Sequence, residues 1–251
     1  MSRPAIPACV LVVVIAALSA CTVELAEREA AFVRDDGERV LCGVGVDSDD
    51  IELPEIEAAM RRARAVNEVL LLFAHHPNVS IRPERVLAVL DTAERLELPF
   101  RTFPELVGHR DRAGVAFAFD DFYVDDWYAL RAGLRGRPVT FFVSNWADLS
   151  RRQIEALHEL AGDGHAIEAH GMGHRDAASY VDRHGIDDYL ADEIDPLLAA
   201  MAEDGFAPTT FAYPYGSRTT ELDEALLGRF SLIRSLTYLD ASALSTAPCP
   251  Y

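Results

Sequence analysis

The sequence contains no lysine: all 23 basic residues are arginine, and 41 acidic residues give a formal net charge of −18. Catalysis through a lysine Schiff base and nucleotide binding through a P-loop both need a lysine, so both are excluded. A nucleic-acid partner is also disfavoured, because phosphate binding needs clusters of basic side chains. The large negative charge indicates solubility rather than a specific function.

Near its N-terminus the sequence has only a short apolar run, Val10 to Leu18. The run is too short to span a bilayer and is typical of a secretory signal peptide. It ends in Leu18-Ser19-Ala20-Cys21, which resembles a bacterial lipobox. We therefore predict a lipoprotein signal peptide over residues 1–20, lipidation of Cys21, and an exported bacterial lipoprotein that faces the periplasm or the cell surface. The lipid anchor would be its only membrane attachment; the alternative is an ordinary signal peptide with a chance cysteine.

Cysteine is also scarce, with four residues in the chain. Cleavage would remove Cys9, and lipidation would use Cys21, which leaves Cys42 and Cys249. Because disulfides persist in exported proteins, a Cys42–Cys249 bridge is one hypothesis, and two free thiols are the alternative.

Beyond the signal peptide, residues 21–38 are charged and rich in alanine, glutamate and arginine, so we predict a tether there. Strand-like and helix-like segments then alternate, which predicts an α/β fold with a parallel sheet. Ser150 is the predicted N-cap of a helix that Gly162 stops, and residues 187–203 are predicted to form a helix interrupted near Pro196. In such folds the functional groups gather at the carboxyl ends of the strands.

Two adjacent carboxylates, Asp120 and Asp121, directly follow the apolar strand-like segment Val115 to Phe119. Burying two such groups unpaired is costly. A metal ion would relieve their repulsion and leave one of them free as a general base. The alternative is a solvated loop, since other Asp-Asp pairs occur in this sequence, for example Asp35-Asp36.

Two histidines, His170 and His174, come after another predicted strand, His165 to Ala169. Histidines four positions apart face the same way on a helical turn and can bind one ion. With one carboxylate they make a three-ligand site with an open position for water, the pattern of hydrolytic zinc centres. With eight histidines in the chain, a chance pair is the alternative.

A third polar segment, Tyr213-Pro214-Tyr215-Gly216, follows the predicted strand Thr209 to Ala212. Proline and glycine define a turn there, and the backbone N–H near Tyr215 would be able to face a developing oxyanion. An ordinary aromatic turn is the alternative interpretation.

Together these three segments resemble the motifs of the polysaccharide deacetylase family, also called the NodB-homology or carbohydrate esterase 4 family, over about residues 68–238. The resemblance implies a distorted (β/α) barrel that removes N-acetyl groups from an N-acetylated polysaccharide or cell-wall glycan. It implies Zn²⁺, or another divalent transition metal such as Co²⁺. The residues it implies are Asp120 as the catalytic base, Asp121, His170 and His174 as metal ligands, Tyr215 as the oxyanion N–H, and Tyr213, Pro214 and Gly216 along the substrate groove.

The chain departs from the family pattern in three motif positions, Ala118, Gly171 and Ala212. Ala118 replaces a threonine, Gly171 stands where serine or threonine is common, and Ala212 stands where many members have an arginine that orients the base. Arg234, on the next predicted strand, is a candidate replacement for that arginine.

The larger departure is that the family's later strands, with a histidine that protonates the leaving amine, have no counterpart after Arg234. We therefore expect a C-terminally truncated chain. Its core over residues 113–251 would form an incomplete barrel, preceded by an N-terminal extension over residues 39–112. His75 and His76 are weak candidates for the missing acid, and the favoured alternative is that they are ordinary loop histidines. The alternatives to a glycan deacetylase are a catalytically impaired surface lipoprotein that keeps the fold as a binding or structural module, and an amidohydrolase for a small non-glycan amide.

Overall fold

The structure of this protein is a computed structural model that describes residues 24–108, 110–237 and 249. In it, seven parallel strands close into a barrel. The strands are β1 (Phe32–Val33), β2 (Val40–Gly45), β3 (Val69–Ala74), β4 (Gly114–Asp121), β5 (Thr140–Val143), β6 (Ala166–Ala169), β7 (Thr210–Ala212) and β8 (Leu232–Leu236). The α-helices are α1 (Leu53–Val66), α2 (Pro83–Arg95), α3 (Val124–Ala129), α4 (Arg131–Leu134), α5 (Arg151–Gly162), α6 (Ala177–His184), α7 (Ile186–Tyr189), α8 (Asp195–Glu203) and α9 (Thr220–Leu226).

The ring runs β2, β8, β7, β6, β5, β4, β3 and returns to β2, while β1 adds antiparallel to β3 outside it. The predicted α/β class and distorted (β/α) barrel are confirmed. The expectation of an incomplete barrel is wrong, because β2 pairs with β8 from Val40 to Gly43. A strand from the segment before residue 113 therefore supplies the pairing that the described C-terminal strands lack, and the parallel ring has no open edge.

Part of the predicted tether is folded onto the barrel. Leu25 is fully buried, and its backbone N–H donates to Oε1 of Glu55 at 2.8 Å. Phe32 pairs with Leu70 on β3 and is buried. The tether prediction is wrong for this part because the apolar side chains among the charged residues reach the core. Residues 1–23, including the predicted lipidation site Cys21, lie outside the described residues.

Helix boundaries follow local chemistry. Ser150 caps α5 as predicted, and Gln153 completes a capping box with it. The predicted interruption near Pro196 lies earlier, in a π-helical turn over Leu190–Ile194, because a proline is tolerated in the first turn of α8. Helix α6, which we did not predict, begins where Asp176 accepts a hydrogen bond from the Ser179 N–H. Within the described ranges, no helix is long and apolar enough to cross a membrane.

The barrel interior combines aromatic and very small side chains. Phe73 on β3 pairs in register with Ala118 on β4, and Ala212 on β7 pairs with Arg234 on β8. A Cβ added to Gly43 on β2 would lie 3.1 Å from the Phe73 ring and 3.5 Å from Cδ of Arg234. Small residues at these positions thus leave room for a phenylalanine and an arginine inside the barrel.

Candidate metal centre and active site

Asp121, His170 and His174 meet at the carboxyl ends of β4 and β6. Oδ1 of Asp121 lies 2.9 Å from Nε2 of His174 and 3.6 Å from Nε2 of His170. One ligand atom from each residue lies within 4.8 Å of the others. Parallel pairing of β4, β5 and β6 places these strand ends at one edge, which is why residues about fifty positions apart converge.

The second nitrogen of each imidazole faces an oxygen. Nδ1 of His170 lies 2.8 Å from the backbone oxygen of Ala212, and Nδ1 of His174 lies 3.2 Å from the hydroxyl of Tyr215. A nitrogen that faces a carbonyl must donate its N–H, so Nε2 of His170 carries the lone pair that points into the site.

The donor set fits a divalent cation. Oδ1 of Asp121 is buried and accepts no hydrogen bond from any described residue, and Nε2 of His170, which carries a lone pair, lies 3.6 Å from it. Such convergence of acceptors is unfavourable without a positive charge between them. Two imidazoles and one carboxylate match the ligands of hydrolytic zinc sites and leave positions open for water and substrate.

Electrostatics at Asp121 favour the ionised carboxylate. Burial raises its pKa, but the adjacent imidazoles of His170 and His174 and the positive charges of His170 and His75 outweigh burial and hold the pKa of Asp121 well below the usual range.

The backbone at the site is held in left-handed conformations. Asp121, His174 and Tyr215 have φ values of +88°, +52° and +58°. Residues other than glycine rarely adopt these conformations, and such strain collects at functional sites, where the surrounding structure must hold it.

The neighbouring carboxylate, Asp120, is 2% exposed and has a cationic partner. Its Oδ2 accepts a hydrogen bond from Nη2 of Arg234 at 2.5 Å, while its Oδ1 is buried without a hydrogen bond from the described residues. Arg234 lies directly beside Ala212 in the sheet register, and its guanidinium stacks over Phe73 at 4.4 Å. The arginine absent at position 212 thus has a counterpart one strand away.

The turn after β7 divides into buried and exposed parts. Tyr213 is 1% exposed and donates to Oδ1 of Asp223 at 2.9 Å, and Pro214 and Gly216 are also buried. Tyr215 is 60% exposed and contacts the His174 ring. Of the four residues, only the Tyr215 side chain faces solvent, so the structure corrects the expected groove: Tyr213, Pro214 and Gly216 support the turn from below.

A second histidine–carboxylate pair, His75 and Asp47, lies near the two aspartates. Nδ1 of His75 is 2.6 Å from Oδ2 of Asp47, and its backbone N–H donates to Oδ1 of Asp47 at 2.9 Å. Burial lowers the pKa of His75, but the hydrogen bond with Asp47 and the negative charges of Asp120, Asp47 and Asp121 outweigh it and raise the pKa to about 9.

The two histidines left open as candidate acids have different surroundings. His76 stacks on Tyr123 at 3.7 Å, and its Nε2 is 2.9 Å from Oδ2 of Asp126. On His75 the paired nitrogen is Nδ1, so its Nε2 remains available. Sequence reasoning missed Asp47, although its position directly after a predicted strand, Val40 to Val46, is the signal that revealed Asp120 and Asp121.

Comparisons with known proteins agree with this geometry. A family model described as polysaccharide deacetylase matches residues 108–227, and no curated protein matches the chain significantly. The structure of IcaB from Ammonifex degensii is similar, at 21% identity and a TM-score of 0.56, over 69% of this chain and 88% of that one.

Two further structures have the same fold. The deacetylase PplD from Streptococcus pyogenes, solved in complex with acetate, is 15% identical, with a TM-score of 0.52 over 65% of this chain and 80% of its own. A polysaccharide deacetylase from Bacillus cereus is 13% identical, with a TM-score of 0.56 over 66% of this chain and 57% of its own. At these identities the likeness establishes the fold.

Proposed function

We propose that this chain, whose residues 108–227 match the polysaccharide deacetylase family, is a metal-dependent hydrolase that removes N-acetyl groups from a glycan. The observation that carries the proposal is the convergence of Asp121, His170 and His174 beside Asp120, a buried carboxylate that Arg234 orients. The ligand set is that of a hydrolytic centre, and the adjacent carboxylate has one oxygen free for a proton.

Zn²⁺, or Co²⁺ in its place, held by these three residues would lower the pKa of a water molecule and polarise the acetyl carbonyl. Oδ1 of Asp120, the oxygen that Arg234 does not engage, accepts a proton from the attacking water. The water oxygen bonds to the acetyl carbon, and the backbone N–H of Tyr215 stabilises the negative charge on the carbonyl oxygen.

The second half of the reaction needs an acid. When the C–N bond breaks, Nε2 of His75 donates its proton to the departing nitrogen, so that acetate and a free amine are released. Asp47 holds Nδ1 of His75 and favours the protonated imidazolium, which suits an acid at neutral pH. Regeneration returns the proton from Asp120 to His75 through solvent.

The glycan class rests on the family and on the rim of the site. Phe122, directly after Asp121, is 41% exposed, and Tyr215 is 60% exposed next to His174. Exposed aromatic rings near a polar centre are typical of sites that bind ring-shaped ligands with apolar faces. The predicted lipid on Cys21 would hold this site at a membrane surface outside the cytoplasm, near cell-wall glycans.

The test is metal content together with acetate release. The wild type is expected to bind about one zinc ion per chain and to release acetate from chitooligosaccharides or peptidoglycan fragments. His170→Ala should lose the metal, whereas Asp120→Asn should keep the metal and lose acetate release. A wild type that binds no divalent metal overturns the proposal. If the protein binds metal but releases acetate neither from the two glycans nor from small N-acetyl amides, a binding module with this fold is favoured instead.

A further inference from the structure

The loop between the two histidine ligands, residues 171–173, and the adjoining Arg175 surround a buried carboxylate that the proposed reaction does not use. Glu193 is 1% exposed. The Gly173 N–H lies 3.1 Å from its Oε1 and 3.0 Å from its Oε2. Nε of Arg175 donates to Oε1 at 2.9 Å, and the Arg175 N–H lies 3.5 Å from Oε2. The backbone oxygen of Glu193 accepts from the Met172 N–H at 3.0 Å.

The loop is shaped to this carboxylate. A Cβ added to Gly171 would lie 3.0 Å from Oε2 of Glu193, and one added to Gly173 would lie 2.8 Å from Oε1. Gly171 also has φ of +85°, which glycine adopts without strain. The two glycines therefore allow the backbone to approach the carboxylate closely.

An unusual backbone element presents Glu193. The residue lies in the π-helical turn Leu190–Ile194, between α7 and α8. Single π-turns inside helices are rare overall, and those that occur are often found at functional sites. The two glutamate and aspartate side chains of the turn contact different elements. Asp192 accepts a hydrogen bond from the Tyr180 hydroxyl on α6, and Glu193 faces the loop.

We propose that Glu193 is a positioning residue for the metal centre. Its carboxylate holds the loop so that Nε2 of His170 and Nε2 of His174 converge on Asp121. His174 is kept at φ of +52°, and such a conformation persists only where the surroundings hold it. Glu193 provides that restraint one residue before His174, through Gly173, and one residue after it, through Arg175. Among the described residues, its hydrogen bonds reach Met172, Gly173 and Arg175 and not a metal ligand, so it acts through the backbone of the loop.

The test compares metal affinity, measured by cobalt absorption titration and zinc competition, in the wild type, Glu193→Ala and Glu193→Gln. We expect Glu193→Ala to weaken metal binding by about 10- to 100-fold, the range for partners that orient metal ligands. The cobalt d–d bands should also shift. Glu193→Gln keeps an acceptor for the Gly173 N–H and should restore most of the affinity. Wild-type affinity and an unchanged cobalt spectrum in Glu193→Ala overturn the inference.

A matched control separates positioning from stability. Glu68 is 3% exposed and pairs with Arg34 and Arg62, but it precedes β3 at the opposite end of the barrel. Glu68→Ala is expected to lower the melting temperature and leave metal affinity unchanged. A loss of affinity in Glu68→Ala equal to that in Glu193→Ala would show that destabilisation alone explains the effect, and would overturn the inference.

If Glu193→Ala does not fold, Glu193→Asp takes its place. The shorter side chain keeps the charge but withdraws from the Gly173 N–H, so weaker cobalt binding is again expected and unchanged binding overturns the inference. Amide hydrogen exchange in the metal-free protein gives a second measurement, in which Gly173 and Arg175 should exchange faster than in the wild type.

The inference rests on the proposed metal site: a wild type that binds no metal refutes the proposed function, whereas a metal-binding wild type with an equally competent Glu193 variant refutes only this inference.

Discussion

Arg234 on β8 donates from Nη2 to Oδ2 of Asp120 on β4 at 2.5 Å, across the interior of the barrel, and the two side chains are 2% and 3% exposed. They come from strands that are not neighbours in the ring, 114 positions apart in sequence. The pairing leaves Oδ1 of Asp120 as the oxygen able to accept a proton, and it fixes the direction in which that oxygen faces.

Replacing Arg234 should therefore impair catalysis more than metal binding. In Arg234→Met we expect kcat to fall by roughly 10²-fold, since misplacing a catalytic group by about an ångström costs that much. Zinc affinity should stay close to the wild-type value because the hydrogen bond of Arg234 is with Asp120, which is not one of the three ligands. Arg234→Lys, which keeps the charge, should be intermediate. A wild-type kcat in Arg234→Met would contradict the assigned role of the arginine.

Asp47→Asn should shift the pH profile of the reaction. The acid form of His75 is needed, and Asp47 contributes to the raised pKa of His75. Removing this carboxylate lowers that pKa, so the alkaline limb of the kcat/KM profile should move to lower pH. Asp126→Asn, which removes the partner of His76, is the matched control and should leave the limb in place. Equal shifts in both variants would argue against His75 as the acid.

The stability of the metal-free protein should depend on pH through the same histidine. The folded pKa of His75, about 9, lies above its ordinary value of 6.5. The imidazolium therefore stabilises the fold in full below about pH 6.5, and that contribution is lost as the pH rises through about 9. Urea unfolding across this range should show a decline in the free energy of unfolding that His75→Gln reduces. Because the His75 side chain is 37% exposed, the decline should be modest. Parallel curves for the two proteins would reject the assignment.

Reduction should destabilise the protein through the cysteine pair. The Cα atoms of Cys42 on β2 and Cys249 lie 6.1 Å apart, within the range of disulfide-bonded cysteines, and the two residues are separated by 207 positions in sequence. Closing a loop of this length removes about 5 kcal/mol of chain entropy from the unfolded state in the simplest estimate. We expect reduction, or Cys249→Ser, to lower the free energy of unfolding by a few kcal/mol. Two titratable thiols in the denatured, unreduced protein would show that this bond is absent.

The predicted lipid anchor has its own test, since Cys21 lies outside the described residues. In a bacterial host, palmitate labelling of the protein should be lost in Cys21→Ser, and globomycin should block processing of the wild type. Cys42→Ser is the matched control and should still be labelled. Labelling that persists in Cys21→Ser would leave an ordinary signal peptide as the better interpretation.

Several features were accessible from local sequence because their signals are local. A continuous apolar run predicts a buried parallel strand, and polar residues directly after it predict the carboxyl-end edge of the sheet. These two signals predict Asp120, Asp121, His170 and His174 at strand ends. The capping of α5 by Ser150 followed from side-chain chemistry within four residues.

The errors concern pairings that no local pattern carries. The barrel was expected to be incomplete because its family counterparts close it with later strands, but here β2 closes it. Leu25 and Phe32 were assigned to a tether because charged residues surround them, yet they are buried. Tyr213 was assigned to the groove by its motif, although it points to Asp223 in the core. Each depends on which distant element a strand or side chain meets.

By itself, the sequence determined which residue types follow which strands, and therefore the chemistry available at the site: carboxylates, imidazoles and a turn. Tertiary structure alone decided their partners. The pairing of β2 with β3 places Asp47 beside His75, the closed ring places Arg234 across from Asp120, and the π-turn places Glu193 under the histidine loop. These contacts depend on strand order and register, which are set when the whole barrel packs, whereas strand-end chemistry is determined within a few residues.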